Sequence, residues 1–369
     1  MPFAAIRGSA LTFNNPAPSG VIEGFFGKTW PDAARLACAP FLRAYGFDFY
    51  IYAPKADRYL RRAWAEQKPQ PEIDRLAALS EGIRGNGLRF GVGLTPYEIH
   101  LDYGTAARAA LERKVAQLDQ VGVDILCILF DDMRGDVPGL ADTQARVIAD
   151  ITARSSAGSF IVCPTYYSDD PVLERLFGKA PAGYLQDFGR RLDPAIDVFW
   201  TGARVCSAGY SDAHLDNVAE RLGRKPFIWD NNVANDGKVR SSHLYLDPNS
   251  MGWSMNPQLT TGVAINPMNQ PCLSRLALAN YASLLRAKDA TRDEAGFESN
   301  LRSLCSAPLA AAILEDLDLF QNRGLTEIDN PGRERLIEKY RRFEPDDCAL
   351  EIIAWLRDEY RFDPNCLTD

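Results

Sequence analysis

Short apolar runs alternate with segments of helical periodicity through most of this 369-residue chain, and that alternation constrains its fold more than any other feature. Strand-like runs fall at residues 21–26, 47–53, 88–94, 125–130, 160–163, 196–200, 227–229 and 263–265. Between them, apolar residues recur at helical spacing, as in Ile73, Leu76, Leu79 and Ile83, or Leu111, Val115, Leu118 and Val121. A first helix opens at Trp30-Pro31, where proline suits the first turn, and Pro40 is expected to kink or end it. Ser211 is a plausible cap for a helix through Leu222. Further helices are expected at 141–153, 184–191 and 273–285. Eight such alternations over about 270 residues match a (β/α)8 TIM-type barrel, although periodicity alone leaves an open doubly wound sheet in play. After about Arg286 only helical patterns remain, at 309–320, 334–340 and 349–356. The predicted organisation is a barrel over residues 1–286 and a small all-helical C-terminal region over 287–369.

Composition narrows the partners. The chain is 46% hydrophobic and 24% charged with a net charge of −8, and it carries no basic block, so nucleic acid is not an expected partner. No apolar run approaches the roughly 20 residues of a membrane helix. The first twenty residues lack the pattern of a secretory signal. Eight cysteines are scattered without a CxxC pair, several inside apolar runs, which favours free buried thiols and a cytoplasmic location.

The run 125–130 ends in Asp131-Asp132. A strand buried on both faces tolerates two acids in a row only where it leaves the core, and the carboxyl end of a parallel strand is where such folds place their chemistry. Other polar residues gather at the corresponding strand ends: Glu23 and Gly24, Lys55, Thr165 and Tyr167, Thr201, Asp230-Asn231 with Asn235-Asp236, and Asn266. A closed barrel brings these to one mouth together with Trp200 and Trp229. Hydrogen-bonding groups beside aromatic faces suit a pyranose pocket. Each has a blander reading: Lys55 as a solvated loop lysine, Trp200 and Trp229 as core, Tyr167 as packing, Cys163 as a small buried residue, Asn231, Asp236 and Asn266 as turns or caps. The three histidines (His100, His214, His243) have no ligand spacing, and no nucleotide-binding motif is present, so no cofactor is expected.

In family order, the motifs GVIEGFFG (20–27), YIYAPK (50–55), LFDD (129–132), CPTYY (163–167), WTG (200–202), WDN (229–231) with Asn235-Asp236, and INP (265–267) resemble glycoside hydrolase family 84, which contains protein O-GlcNAcases and bacterial hyaluronidase-like enzymes. The resemblance implies a retaining exo-β-N-acetylglucosaminidase whose substrate supplies its own nucleophile, the 2-acetamido oxygen, through an oxazoline. It assigns Asp131 to the acetamide N–H, Asp132 to general acid and base catalysis, and Tyr167 to the acetamide oxygen. Cys163, Thr201 and Trp229 are assigned to the N-acetyl pocket, Gly24, Lys55, Asp236 and Asn266 to the sugar hydroxyls, and Asn231 to the polar network behind them. The expected partner is a GlcNAc-bearing glycoconjugate, protein or oligosaccharide. Phe26 stands where tyrosine is common, and residues 56–60 and 95–100 depart from the family pattern, which bears on aglycone preference. The alternatives are a GlcNAc-binding protein without turnover on the same barrel, a hydrolase of another 2-acetamido glycoconjugate such as hyaluronan, and a divalent-metal enzyme using the two aspartates.

Overall fold

The computed structural model describes residues 17–286 and 294–368. Eight parallel strands, β1 (Ser19–Glu23), β2 (Phe49–Tyr52), β3 (Arg89–Leu94), β4 (Ile125–Leu129), β5 (Ser159–Cys163), β6 (Asp197–Trp200), β7 (Phe227–Asp230) and β8 (Gly262–Ile265), pair in chain order and close, with β8 returning to β1. Closure decides between the two architectures that periodicity left in play. The strands are almost wholly buried because helices cover the outside and side chains fill the inside.

The outer layer is α1 (Asp32–Ala44), α2 (Gln70–Gly85), α3 (Thr105–Asp119), α4 (Leu140–Thr152), the short α5 (Val172–Phe177), α6 (Tyr184–Arg191), α7 (Asp212–Leu222) and α8 (Pro271–Arg286). Ile73, Leu76, Leu79 and Ile83 form the buried stripe of α2, as their spacing predicts. Ser211 caps α7 by accepting the His214 N–H. Two expectations change. Pro40 does not end α1, which runs four residues further; the proline lies on the exposed face, where water can satisfy the carbonyl left without a donor. Val121 is buried but lies beyond the end of α3. The β7–β8 connection carries two single 3-10 turns, at Arg240–Ser242 and Pro257–Leu259, and no α-helix.

The C-terminal helices are α9 (Glu294–Leu304), α10 (Ala307–Asp318), α11 (Asn330–Arg341) and α12 (Asp347–Leu356). Gln321, just past α10, accepts the Leu246 and Asp247 N–H groups and so fastens this region to the β7–β8 loop. Glu351 of α12 accepts the N–H groups of Cys272 and Leu273 in the first turn of α8, at 2.8 and 2.9 Å, satisfying donors that a helix start leaves open. Beside it Cys272 and Cys348 form a disulfide, which corrects the expectation of thiols throughout. A separation of 76 residues hides that pair in the sequence; only the packing of α12 on α8 brings the two Cα atoms to 5.3 Å. The division between 286 and 287 borders residues 287–293, which lie outside the described residues, as do 1–16. Among the described residues no helix is long and apolar enough to cross a membrane.

Glu23 is fully buried at the end of β1 but faces α1 instead of the mouth. Arg35 binds it with two nitrogens at 2.6 and 2.7 Å, and the Tyr50 hydroxyl donates at 2.5 Å. A buried carboxylate persists in such a place only with its charge and lone pairs met. Removing one partner leaves the other charge unpaired in the core. Arg35→Met is therefore expected to lower unfolding free energy by about 3–5 kcal/mol, read from the denaturant midpoint at unchanged slope, whereas a Glu23→Gln, Arg35→Met double variant recovers part of that loss.

Candidate active site

Asp131 and Asp132 leave β4 at the barrel mouth. Regular strand geometry would send adjacent side chains to opposite faces. Asp132 breaks that alternation with φ 55°, in the left-handed region, and both carboxylates line one cavity. Aspartate tolerates this conformation better than most residues, though at a cost, and such strain concentrates at functional sites. Thr165 steadies the turn from behind: its hydroxyl donates to the Phe130 carbonyl at 2.8 Å and accepts from Gln144.

Lys55, just past β2, is buried and pairs with Oδ2 of Asp131, while Oδ2 of Asp132 lies 3.9 Å away. It is thus no solvated loop lysine. Its ammonium also lies 5.6 Å from the Trp229 ring centroid and 5.9 Å from that of Phe26. Oδ1 of Asp131 is buried without a hydrogen-bond partner. Tyr167, in the loop after β5, donates its hydroxyl to Oδ1 of Asp132 at 3.0 Å.

The opposite wall is a continuous polar chain. Asn231 accepts at Oδ1 from Trp229 Nε1 and from Asn266 Nδ2, each at 2.9 Å, and donates to the Val205 carbonyl at 3.0 Å. Asn266 in turn accepts the Gly24 N–H at 3.1 Å. A Cβ on Gly24 would lie 2.4 Å from the Trp229 ring, so glycine is required for the backbone to approach the tryptophan. Asp236 accepts the Phe26 N–H at 2.7 Å. Cys163 and Thr201 close the floor, with the Thr201 hydroxyl on the Arg204 carbonyl at 3.0 Å.

Gly24, Lys55, Asp131, Asp132, Cys163, Tyr167, Thr201, Trp229, Asn231, Asp236 and Asn266 thus line a single cavity of about 490 Å³, mouth included. Other residues proposed for the mouth from their positions at strand ends lie elsewhere. Trp200 is core, donating to His214 Nε2 at 3.0 Å. Asp230 points behind the wall to Trp253 and Tyr281, and Asn235 bridges the His243 carbonyl and Gln270. Strand alternation explains the split between Asp230 and Asn231, a distinction invisible without the barrel axis. Sequence reasoning missed Val205, Cys206 and Ala234, and also Cys366 and Thr368, which arrive from beyond α12. No motif or periodicity marks these five; tertiary packing alone delivers them.

The electrostatics separate the two aspartates. Burial raises the Asp132 pKa and the neighbouring Asp131 adds to the rise, against the pull of Lys55, Arg61 and the Tyr167 hydroxyl. Burial opposes the Lys55 ammonium, but the two carboxylates outweigh it and hold the lysine above its ordinary range. Burial, reinforced by Asp131, pushes the Cys163 thiol well up, so it is not poised as a thiolate. Burial also raises Asp236 against the Phe26 N–H it accepts. The site thus holds a carboxyl biased toward protonation beside a carboxylate clamped by an ammonium, with one acceptor oxygen open. Lys55 stands where a divalent cation shared by the two aspartates would have to sit, and among the described residues no group of three or more His, Cys, Asp or Glu is arranged to hold a metal ion.

A family model described as beta-N-acetylglucosaminidase matches residues 19–320. Over 259 residues the chain is 28% identical to the protein O-GlcNAcases of Mus musculus and Rattus norvegicus, an alignment covering 67% of this chain and 28% of each relative. The chain therefore spans little more than a quarter of those proteins' length. A point mutant of the Thermobaculum terrenum O-GlcNAc hydrolase has a similar structure, with TM-score 0.72 and 26% identity over 92% of this chain and 74% of that one.

The Asp131–Asp132 coupling is open to a direct check. Asp131→Asn removes the like charge that helps to raise Asp132 and frees Lys55 to turn to the remaining carboxylate. The Asp132 carboxyl is expected to titrate at lower pH in this variant than in wild type, followed by carbon-13 NMR of aspartate side chains; a shift upward would contradict the assignment of causes.

Proposed function

The chain belongs to the beta-N-acetylglucosaminidase family, glycoside hydrolase family 84, and from that premise we propose that it hydrolyses terminal β-linked GlcNAc from a glycoconjugate by substrate-assisted catalysis. The observation that carries this reading is the buried, unpartnered Oδ1 of Asp131 beside a protonation-biased Asp132. An unpartnered carboxyl oxygen in a buried pocket calls for a donor, and the N–H of a 2-acetamido group is one.

In this mechanism the acetamide oxygen attacks the anomeric carbon as the bond to the leaving oxygen breaks, and Asp132 gives that oxygen its proton. Positive charge spreads over the forming oxazoline. Asp131 holds the N–H and offsets this charge, and Lys55 holds the Asp131 side chain in place. Asp132, now a carboxylate, takes a proton from water as the water opens the oxazoline, and two inversions at one carbon give net retention. Tyr167, whose hydroxyl donates to Asp132, exchanges that bond in this mechanism for one to the acetamide oxygen. Trp229, Thr201 and Cys163 surround the acetyl group, while Gly24, Lys55, Asp236 and Asn266 take hydroxyls, with Asn231 tying Trp229 to Asn266. Water as the acceptor and a nucleophile carried by the substrate require no cofactor.

A barrel over 1–286 with a helical region over 287–369 is the domain division we adopt, and a cytoplasmic location is part of the same proposal. Cys38, Cys127 and Cys163 keep buried thiols, in line with that location; the Cys272–Cys348 bond is the feature that fits an oxidising compartment better.

The test is hydrolysis of 4-nitrophenyl β-GlcNAc by wild type and variants, with and without EDTA. Turnover is expected to resist EDTA, to fall about 10²–10⁴-fold in Asp132→Asn, and to fall about 10²–10³-fold in Asp131→Asn. Tight sugar binding by wild type without turnover would favour the binding-protein alternative instead. Because the acid works protonated, kcat/KM falls as pH rises through the elevated Asp132 pKa. The residual turnover of Asp132→Asn on 4-nitrophenyl β-GlcNAc should lack that alkaline limb; a limb retained at the same pH would move the acid role to another group.

A further inference from the structure

Beyond α12 the chain folds back over the barrel mouth. Tyr360 is buried beneath Lys28, whose ammonium lies 4.5 Å from its ring centroid. Asp363 then organises a turn: its carboxylate accepts the Asn365 N–H at 2.9 Å and its carbonyl accepts the Cys366 N–H at 2.9 Å. Arg62, from the β2–α2 loop, donates to Asn365 at 3.4 Å. The turn presents Cys366 inward, 8% exposed, with its thiol 3.3 Å from the Thr368 carbonyl and 3.9 Å from Oδ2 of Asp236. The root of this strap is held by the disulfide to α8 and by Glu351 on the first turn of α8.

Cys366 and Thr368 line the same cavity as the two catalytic aspartates. The buried, unpartnered Oδ1 of Asp131 independently marks that cavity as the place of a ligand. A sugar placed with its anomeric carbon at Asp132 and its 2-acetamido group at Asp131 would turn C4, the ring carbon opposite C1, toward the lining that those two residues leave free. That lining includes Asp236 with Phe26 and the strap. A thiol is a weak donor, so at 3.9 Å it leaves Asp236 with acceptor capacity for a sugar hydroxyl while its bulk closes the space behind.

We propose that the strap 363–368, through Cys366 and Thr368, is the specificity-determining wall behind Asp236, admitting a terminal GlcNAc and rejecting one that carries a further sugar on O4. The inference rests on the hydrolase reading above and adds to it the residues that enforce action at chain ends.

The probe is 4-nitrophenyl β-chitobioside. Direct release of chitobiose requires the inner, O4-substituted sugar at Asp131 and Asp132, whereas release of GlcNAc requires only the terminal one. Wild type is expected to release GlcNAc first, then nitrophenol after a lag, with no chitobiose. The full chain carrying Cys366→Gly and Thr368→Gly is expected to release chitobiose, raising its ratio to GlcNAc at least about tenfold. Turnover of 4-nitrophenyl β-GlcNAc by that variant, reduced by less than about tenfold, reports an intact site. A second variant, Cys366→Phe, narrows the pocket and should raise KM for the monosaccharide glycoside more than it changes kcat. Chitobiose from wild type overturns the proposal, as does its absence from the glycine variant with monosaccharide turnover retained. An unaltered KM in Cys366→Phe does the same. Failure of wild type on 4-nitrophenyl β-GlcNAc itself is a separate result: it removes the hydrolase reading, and the wall falls with it.

Discussion

The ion pair between Lys55 and Asp131 is the interaction on which the arrangement of the mouth depends. Two adjacent carboxylates in a buried cavity repel each other and are both penalised by the loss of water. A single ammonium from the next-but-one strand offsets this asymmetrically, since Lys55 bonds to Asp131 and only approaches Asp132. Lys55 thereby compensates Asp131 directly, while Asp132 is left biased toward its proton. The same pair ties the end of β2 to the end of β4 and leaves the second oxygen of Asp131 without a partner. Chemistry and architecture therefore share one contact.

That contact is affordable because the scaffold around it is rigid. Glu23, Arg35 and Tyr50 lock β1 and β2 to α1 just below the mouth. On the far side Asn231 joins Trp229 to Asn266, and Asn266 reaches the backbone of Gly24, so β7, β8 and β1 carry one polar wall. The helices after the barrel extend this frame: Glu351 and Cys348 seat α12 on α8, and the chain that leaves α12 reaches the mouth. A region that reads as an appendix by its helical pattern contributes Cys366 and Thr368 to the cavity.

Much of the fold was legible because barrel strands are buried on both faces and so write themselves as short apolar runs. The 125–130 run and its two acids are the clearest case. The limits are equally physical. Glu23 and Lys55 both sit at strand ends, yet one turns to a helix and the other to the cavity, because facing depends on strand tilt and register. Asp230 and Asn231 are adjacent and diverge for the same reason. Trp200 and Trp229 look alike in sequence; the former is core and the latter lines the site. Pro40 was a stop signal overridden by an exposed helix face.

By itself, the sequence determined the eight strands, the buried stripes of the helices, the family motifs and the pair Asp131-Asp132, since all of these are local patterns of polarity and residue type. Only the tertiary structure decided closure, the partner of each charge, the Cys272–Cys348 bond and the return of Cys366 and Thr368 to the mouth. Those depend on approach between segments tens to hundreds of residues apart, and such approach is set by packing of whole elements, which no local pattern encodes.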